Sequence, residues 1–334
     1  MLRLGIIGYG YWGPNIVRNF SATDNVKVVA LCDTEPLAIN RARKYHPNLK
    51  FCRDYRDITT SAEIDAVAIV TPVATHFELS RSALENGKHV FVEKPFVTTA
   101  DEAEALIELA EKKHLTIMVD HTFLFTGAVR KIKELIDDDV LGTLYYYDST
   151  RVNLGIFQND VNVIWDLAPH DLSIIDYIIK ECPVAVAATG MDHFKRGLED
   201  VAYITVYFDH AIIAHINVNW LSPVKQRTTL IGGQKKMLVW NDLEPDEKIK
   251  LYDKGVEVDN KEGVYKVLVD YRVGDMWAPR LDHIEALKTE AEYFVDCIVN
   301  DTPPINDGNA GLRVVRVLEA ADESLKNKGR LVEL

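Results

Sequence analysis

The chain has few cysteines, no long apolar run and no excess of basic residues. Only four of its 334 residues are cysteines, Cys32, Cys52, Cys182 and Cys297, and none forms a CxxC pair or lies at metal-ligand spacing from a histidine. This pattern argues against a disulfide framework and against a metal site. No apolar stretch approaches the roughly 20 residues that span a bilayer, so we do not expect a membrane protein.

Acidic residues outnumber basic ones, and the net charge is -13. Nucleic-acid binding depends on clustered Lys and Arg, so this composition argues against a nucleic-acid partner. A small anionic ligand stays compatible, because a helix N-terminus can hold a phosphate in an acidic protein. The first residues, MLRLGIIGYG, run directly into a strand and a glycine loop and leave no room for a signal peptide, which predicts a cytoplasmic protein.

The pattern of predicted secondary structure changes near residue 121. Before it, apolar runs from LRLGIIG to TIMVDH alternate with helical patterns, as in a parallel sheet with crossover helices. After it, strands with period-two alternation follow one another from LYYYDSTRVN to KIKLYD, interrupted early by the WDLAPHDLSIIDYII helix, and helices at 287–300 and 309–328 close the chain.

These two patterns predict an α/β Rossmann domain over residues 1–121, followed by an α+β domain with a mostly antiparallel open sheet over residues 122–334. We expect the C-terminal helix to pack back on the Rossmann domain. An open sheet has an apolar face that must be covered, so we also expect a homo-oligomer formed through this sheet.

Three glycines, Gly8, Gly10 and Gly13, form the string GYGYWG between the first strand and the first helix. In a dinucleotide-binding loop the first glycine permits a tight turn, the second lets the backbone approach a pyrophosphate, and the third lets the helix pack on the strand. Asp33 ends the next strand, about 20 residues further on, at the spacing of a carboxylate that binds the adenosine ribose. An acidic residue there repels a 2′-phosphate, so the pattern favours NAD over NADP; the alternative is a tight turn without a ligand.

Glu93 and Lys94 lie at the carboxyl end of the predicted strand HVFVEKP. Open α/β sheets bind ligands at this edge, and a lysine there can stabilise negative charge that develops on a reacting oxygen. From position alone, a solvated lysine at a strand end is the more common explanation.

Asp166 and His170 are four residues apart in WDLAPHD, and a helix that starts near Leu167 brings them together on one side. Pro169 then falls in the first turn, where proline is tolerated. Histidine titrates near neutral pH and suits the removal of a hydroxyl proton, while Asp166 could orient it. The alternative is that Asp166 only caps the helix and His170 is an ordinary helix histidine.

The strings GYGYWG, EKP and WDLAPHD together resemble the Gfo/Idh/MocA oxidoreductase family, and the resemblance extends over essentially the whole chain. It implies that Lys94 is the catalytic lysine and that His170 accepts the proton, with Asp166 beside it. It also implies a cis peptide bond before Pro95 and chemistry that needs no metal.

Within the family, the run RVNLGIFQNDVNVIWDLAPHDLSIID is similar to the UDP-N-acetylglucosamine and UDP-N-acetylglucosaminuronate 3-dehydrogenases. This resemblance implies oxidation of the C3 hydroxyl of a sugar nucleotide to a 3-keto product in the synthesis of surface polysaccharides. Two alternatives stay open: a dehydrogenase of a free sugar or inositol, and a non-catalytic NAD-binding sensor.

The same resemblance places Arg151 and Asn153 near the substrate, and the alternative for Arg151 is a surface strand residue. Lys225, Gln226 and Arg227 are weaker candidates for the pyrophosphate, and a surface position is the favoured interpretation of Lys225 and Arg227. His76 either approaches the nicotinamide or makes only a local hydrogen bond, and His121 is interpreted as structural. The predicted cofactor-binding residues are Gly8, Gly10, Tyr11, Trp12, Gly13, Asp33, Thr71, Pro72, His76, Glu93 and Lys94.

Overall fold

The computed structural model of the chain describes residues 1–155, 157–210, 212–259 and 268–334. Ile156, within the run quoted above, lies outside the described residues. The chain forms two compact units. The first contains Met1–Thr126 and Ile284–Glu319, and the second contains Gly127–His283 and Ala320–Leu334.

The first unit contains a six-stranded sheet in which every neighbouring pair is parallel. Its strands are β1 Leu2–Ile7, β2 Val26–Cys32, β3 Lys50–Cys52, β4 Ala66–Ile69, β5 His89–Glu93 and β6 Ile117–Asp120. The order β3-β2-β1-β4-β5-β6 is that of a dinucleotide-binding fold. All residues of β4 and β6 are buried, as continuous apolar runs in a parallel sheet should be. The predicted Rossmann domain is confirmed.

Helices make up much of both units. They are α1 Gly13–Ser21, α2 Pro36–Tyr45, α3 Arg56–Thr59, α4 His76–Glu85, α5 Ala100–Lys113, α6 Gly127–Asp137, α7 Val163–Ile178, α8 Ala286–Val299 and α9 Gly308–Lys326. The α5 helix shows why such segments are helical: the Thr99 hydroxyl accepts from the amide of Glu102, acidic residues occupy the first turn and lysines the last. No described helix is both long and apolar enough to cross a membrane.

The boundary between the units differs from the one expected at residue 121. Contacts place Thr122–Thr126 and Ile284–Glu319 in the first unit, so α8 and most of α9 belong with the Rossmann sheet. The physical reason is aromatic packing: the fully buried ring of Phe294 lies 6.1 Å from the ring of Phe20 and 5.5 Å from that of Phe91. Hydrophobic patterning alone identified α8 as a helix but did not identify its packing partner.

The second unit contains a nine-stranded sheet in the order β14-β13-β12-β11-β7-β10-β9-β8-β15. Its strands are β7 Leu144–Leu154, β8 Pro183–Met191, β9 Val201–Phe208, β10 Ile213–Asn219, β11 Leu221–Gly233, β12 Met237–Asn241, β13 Ile249–Asp259, β14 Leu268–Trp277 and β15 Val332–Glu333. Among the described strand pairs of this sheet, only β7–β10 is parallel, which confirms a mostly antiparallel sheet. The sequence predicted β13 only as far as Asp253 and did not predict β14.

The alternation of buried and exposed residues along the strands shows which face of the second sheet α7 covers. In β9, Ala202, Ile204 and Val206 are buried, whereas Tyr203 and Tyr207 are exposed. The α7 helix packs against β7, β9 and β10 on the buried side. The opposite face is the open face of the sheet.

Replacing Phe294 by alanine should lower the free energy of unfolding by about 3–5 kcal/mol, because it removes a fully buried ring from the three-ring cluster. Denaturant unfolding measures the change. The matched control is Val299→Ala at the exposed end of the same helix, which should change the value by less than about 0.5 kcal/mol. Equal effects of the two substitutions would contradict the assignment of α8 to the first core.

Candidate active site

The glycine loop after β1 uses each glycine for a separate steric reason. Gly8 has φ +102°, and a Cβ there would lie 2.3 Å from the carbonyl oxygen of Val70. A Cβ on Gly13 would lie 2.8 Å from the carbonyl oxygen of Gly8. A Cβ on Gly10 would meet nothing within 4 Å, so open space lies over the middle of the loop. The loop therefore has the tight turn, the close packing and the open approach that a pyrophosphate requires.

Asp33 fixes the position of the loop. One carboxylate oxygen accepts from the amide of Tyr9 at 2.6 Å, and the other accepts from the amide of Glu35 at 2.8 Å. A carboxylate has about four lone-pair sites, so both oxygens retain capacity for the hydroxyls of a ribose. The Arg41 guanidinium donates to the carbonyl oxygens of Tyr9 and Gly10 and holds the same loop from the side of α2.

A cavity of about 540 Å³ lies beside this loop. It brings together five of the predicted cofactor-binding residues, Gly8, Gly10, Asp33, Thr71 and Pro72. The remaining six lie elsewhere: Tyr11 is 85% exposed, and Gly13, Trp12, His76, Glu93 and Lys94 are not among the lining residues. The residues present fit the adenosine half of a dinucleotide.

His76 connects the loop after β4 to the loop after β5. Its ring is buried, with Nδ1 at 2.9 Å from the carbonyl oxygen of Pro95 and Nε2 at 2.8 Å from that of Thr71. The peptide bond between Lys94 and Pro95 is cis, as the family resemblance implied. Of the two interpretations of His76, the structure shows hydrogen bonding to the backbone.

The β5 and β6 strands end in register, with Glu93 opposite Asp120. Asp120 is buried; its carboxylate accepts from the Thr122 hydroxyl at 2.5 Å and from the Trp12 indole N–H at 3.3 Å. Burial raises the pKa of Asp120, while these hydrogen bonds and the nearby positive charge of Lys94 oppose that increase. The buried Asp120 carboxylate thus binds Trp12 of the glycine loop and interacts electrostatically with Lys94.

His121 is buried at the same edge of the sheet. Burial and the positive charge of Lys94 lower the pKa of His121 to about 3, so its ring is neutral at physiological pH. Neither ring nitrogen has a hydrogen-bond partner in the part of the chain that the structure describes. The side chain interpreted from sequence as structural therefore has unused hydrogen-bonding capacity beside Lys94.

In the second unit, α7 begins earlier than the sequence suggested. The Asn162 side chain caps the helix by accepting from the amides of Ile164 and Trp165 at 3.1 Å, so the helix starts at Val163 rather than near Leu167. The prediction that Pro169 lies in the first turn was wrong; it lies inside the helix, in the second turn. Asp166 is consequently not the N-cap.

Asp166 and His170 therefore lie one turn apart in a regular helix. The Asp166 carboxylate accepts from the indole N–H of Trp220 at 3.0 Å, and both Asp166 and His170 are half-buried. A Cβ on Gly155 would lie 3.1 Å from the Trp220 ring and 3.2 Å from the amide oxygen of Asn153. The structure thus brings Asn153 close to the partner of Asp166.

Arg151 is buried, which excludes the alternative of a surface strand residue. Its Nε lies 2.7 Å from Asp171, whose other carboxylate oxygen accepts from the Tyr147 hydroxyl at 3.2 Å. Both side chains of the ion pair are more than nine-tenths buried. The pair joins β7 to α7 one residue beyond His170.

The weaker candidates lie on β11. Lys225 and Gln226 are exposed, and Arg227 forms an ion pair with Asp242 at 3.3 Å. Within the described residues no group of three or more His, Cys, Asp and Glu side chains could hold a metal ion.

Sequence reasoning did not single out Asp120 and Glu290 of the first unit, and it interpreted His121 as structural. Asp120 and His121 occupy the same kind of strand end as Glu93 and Lys94, so the argument used for the lysine would have found them. Glu290 lies in α8 between Leu287 and Phe294, on the helix stripe where an apolar residue is expected. A carboxyl group at a helix position where an apolar residue is expected was the sequence feature that could have identified Glu290.

Comparison with known families decides the class of protein. Residues 2–121 match the model of the oxidoreductase family with an NAD-binding Rossmann fold, and residues 129–239 match that of the GFO/IDH/MocA C-terminal domain. The two matches together cover more than half of the chain. The chain belongs to the Gfo/Idh/MocA family. It is therefore an oxidoreductase with NAD as its cofactor, and the glycine loop lies in its NAD-binding domain.

Relatives within the Gfo/Idh/MocA family differ in substrate. The UDP-N-acetylglucosamine 3-dehydrogenase of Acidithiobacillus ferrooxidans is 28% identical, with 94% of each chain covered. The inositol 2-dehydrogenase of Rhizobium meliloti is 23% identical, with 99% of this chain and 98% of the relative covered. A solved structure of scyllo-inositol dehydrogenase from Lactobacillus casei, with bound NAD(H) and scyllo-inositol, superposes with a TM-score of 0.81 at 20% identity, covering 100% of this chain and 99% of that one.

Alanine substitutions at Gly8 and Gly10 should separate folding from cofactor binding in this family member. Gly8→Ala should lower the free energy of unfolding by more than about 1 kcal/mol, because of the positive φ and the Val70 carbonyl. Gly10→Ala should leave it unchanged or raise it by about 0.4–1 kcal/mol. The same Gly10→Ala substitution should weaken NAD binding at least about tenfold by filling the space over the loop. Calorimetric titration with NAD and thermal unfolding measure both; unchanged NAD affinity of Gly10→Ala would refute the assignment of this space.

Proposed function

We propose that the protein oxidises the C3 hydroxyl of a UDP-N-acetylhexosamine, or of its uronate, to a 3-keto sugar nucleotide in the synthesis of surface polysaccharides. The observation that carries this proposal is the similarity to the UDP-N-acetylglucosamine 3-dehydrogenase over 94% of both chains. A second observation supports it: the α7 helix presents Asp166 and His170 one turn apart, as the catalytic pair of such an enzyme would require.

Gly8, Gly10, Thr71 and Pro72 would hold the NAD, with Asp33 accepting hydrogen bonds from the ribose. NAD, when bound, accepts the hydrogen and the electron pair that leave the substrate carbon. Other residues would complete the cofactor site, most of them through backbone groups or by positioning the neighbouring loops. They are Tyr11, Trp12, Gly13, His76 and Glu93.

The chain's own residues supply the proton chemistry. In the proposed mechanism the imidazole of His170 takes the proton of the reacting hydroxyl, and the Lys94 ammonium donates a hydrogen bond to that oxygen and stabilises its negative charge. Asp166, held by the Trp220 indole, orients His170 or a neighbouring hydroxyl of the sugar. Asn153 contacts the substrate. The Arg151 guanidinium is bound by Asp171, so Arg151 influences the substrate indirectly, by holding α7 in place.

A dehydrogenase of free sugars or inositols is the second candidate. It is favoured by the inositol 2-dehydrogenase, which is similar over nearly the full length of this chain. The two functions differ in whether a nucleotide contributes to binding, so substrate comparison separates them.

NADH formation by the purified protein should saturate with UDP-N-acetylglucosamine or its uronate and not with free N-acetylglucosamine or inositol. Lys94→Ala and His170→Ala should each lower turnover about 100-fold or more, because each removes a group that acts on the reacting oxygen, while NAD affinity stays nearly unchanged. Absorbance of NADH measures turnover, and calorimetry measures NAD affinity.

Two results would count against this assignment. Saturation by a free sugar or an inositol alone would favour the second candidate. Near-normal turnover in both variants, with any substrate, would remove Lys94 and His170 from the reaction.

We also propose that the open face of the second sheet joins copies of the chain into a homo-oligomer. Tyr203, Tyr207 and Ile213 are 44%, 38% and 41% exposed on this face, and Ile213 is paired with Tyr207 across β9 and β10. Stacking of His215 on Tyr203 continues the same surface. An apolar and aromatic surface on adjacent strands is the kind of patch that oligomers cover.

Ile213→Asp should dissociate the oligomer, because it places a charge at the centre of this face. Sedimentation analysis measures the mass of the particle. Val299→Asp, at an exposed apolar residue of α8 outside the sheet, is the control and should leave the mass unchanged. Unchanged mass in Ile213→Asp would show that the face is not the interface.

A further inference from the structure

Two buried carboxyl groups meet at the edge of the Rossmann sheet. Asp120, at the end of β6, is 2% exposed, and Glu290, on α8, is 0% exposed. The Asn306 amide donates both to the carbonyl oxygen of Val119 at 2.7 Å and to Glu290 Oε1 at 3.0 Å, so Glu290 lies against the end of β6, where each of the two carboxyl groups shifts the pKa of the other. Two carboxylates that are in contact and shielded from water cannot both be ionised without a large electrostatic cost, so a proton between them is the expected solution.

The other hydrogen bonds show where this proton lies. Asp120 accepts from the Thr122 hydroxyl and from the Trp12 indole, which stabilises its ionised form. Glu290 accepts through Oε1 from the Asn306 amide at 3.0 Å, while Oε2 has no protein donor among the described residues. A protonated Oε2 that donates to Asp120 satisfies both carboxyl groups.

We infer that Asp120 and Glu290 share one proton, carried by Glu290, and that this pair holds one negative charge against Lys94 while anchoring Trp12 of the glycine loop. The pair is thus a positioning element for the lysine. This part of the inference rests on the role proposed for Lys94, whereas the shared proton does not.

The charged and titratable groups around the pair agree with this arrangement. Lys94 and Glu93 face it from the end of β5, and His121 faces it from the end of β6. Burial raises the pKa of Glu290 well above its usual range, and the charge of Asp120 raises it further. His121 is neutral, so Lys94 is the cation that the shared negative charge faces.

Infrared difference spectroscopy at neutral pH tests the shared proton directly. The wild-type minus Glu290→Gln spectrum should show the carbonyl band of a protonated carboxylic acid. The control is Glu292→Gln, an exposed residue of the same helix that pairs with Lys288. Its difference spectrum should show only the bands of an ionised carboxylate. A carboxylate signal alone from Glu290→Gln would overturn the inference.

Stability supplies a second test, because the folded protein keeps a proton that the unfolded chain releases. The pKa of Glu290 is raised on folding, so its contribution to stability is present at low pH and lost as the pH rises towards the folded-state pKa. Between about pH 5 and pH 7, the ratio of folded to unfolded wild type should fall relative to Glu290→Gln by about tenfold per pH unit. Parallel pH profiles for the two proteins would overturn the shared proton.

Turnover tests the positioning of Lys94. Asp120→Asn removes a buried carboxylate whose charge interacts with that of Lys94 and should lower turnover at least about tenfold, and Glu290→Gln, which leaves that carboxylate in place, should lower it less. The reverse order, or unchanged turnover in Asp120→Asn, would overturn the positioning role. The infrared result stands independently of turnover, so failure of the pair and failure of the function proposed for Lys94 are distinguishable.

Discussion

Hydrogen bonding between parallel strands brings the carboxyl ends of β1, β2, β4, β5 and β6 to one edge of the first sheet. Gly8, Asp33, Thr71, Lys94 and Asp120 each follow or end one of these strands. The pairing of the strand backbones already places these residues at one edge of the sheet, so short loops are enough to bring them together. The side-chain contacts between neighbouring loops then fix the details.

Hydrogen bonds link several of the neighbouring loops at this edge. Asp33 holds the glycine loop through the amide of Tyr9, His76 joins the loop after β4 to Pro95, and Asp120, paired with Glu93 through the strand backbones, accepts from the indole of Trp12. Each link uses a buried or half-buried polar side chain whose partner is backbone or indole. These hydrogen bonds oppose displacement of the loops that they join.

Much of this arrangement could be predicted from sequence, and the failures have physical causes. Periodicity identified both sheets and most helices, and strand ends located Lys94 and Asp33, because these signals are local. The start of α7 was misplaced because Asn162, as good an N-cap residue as Asp166, lies four residues earlier and also bonds outside the helix. The partners of Glu290 and Arg151 depend on contacts between distant segments, and one sequence does not specify them.

The Arg151–Asp171 pair has a consequence for how such an enzyme can change during evolution. Because the bond from β7 enters α7 beside His170, it prevents the helix from rotating about its axis or sliding along the sheet. Asn153 lies two residues beyond Arg151 near the end of β7, and Gly155 follows the strand. Under the proposed mechanism, substitutions at these two positions could alter the size and charge of the accepted sugar while His170 keeps its orientation, so substrate range and chemistry are free to diverge separately.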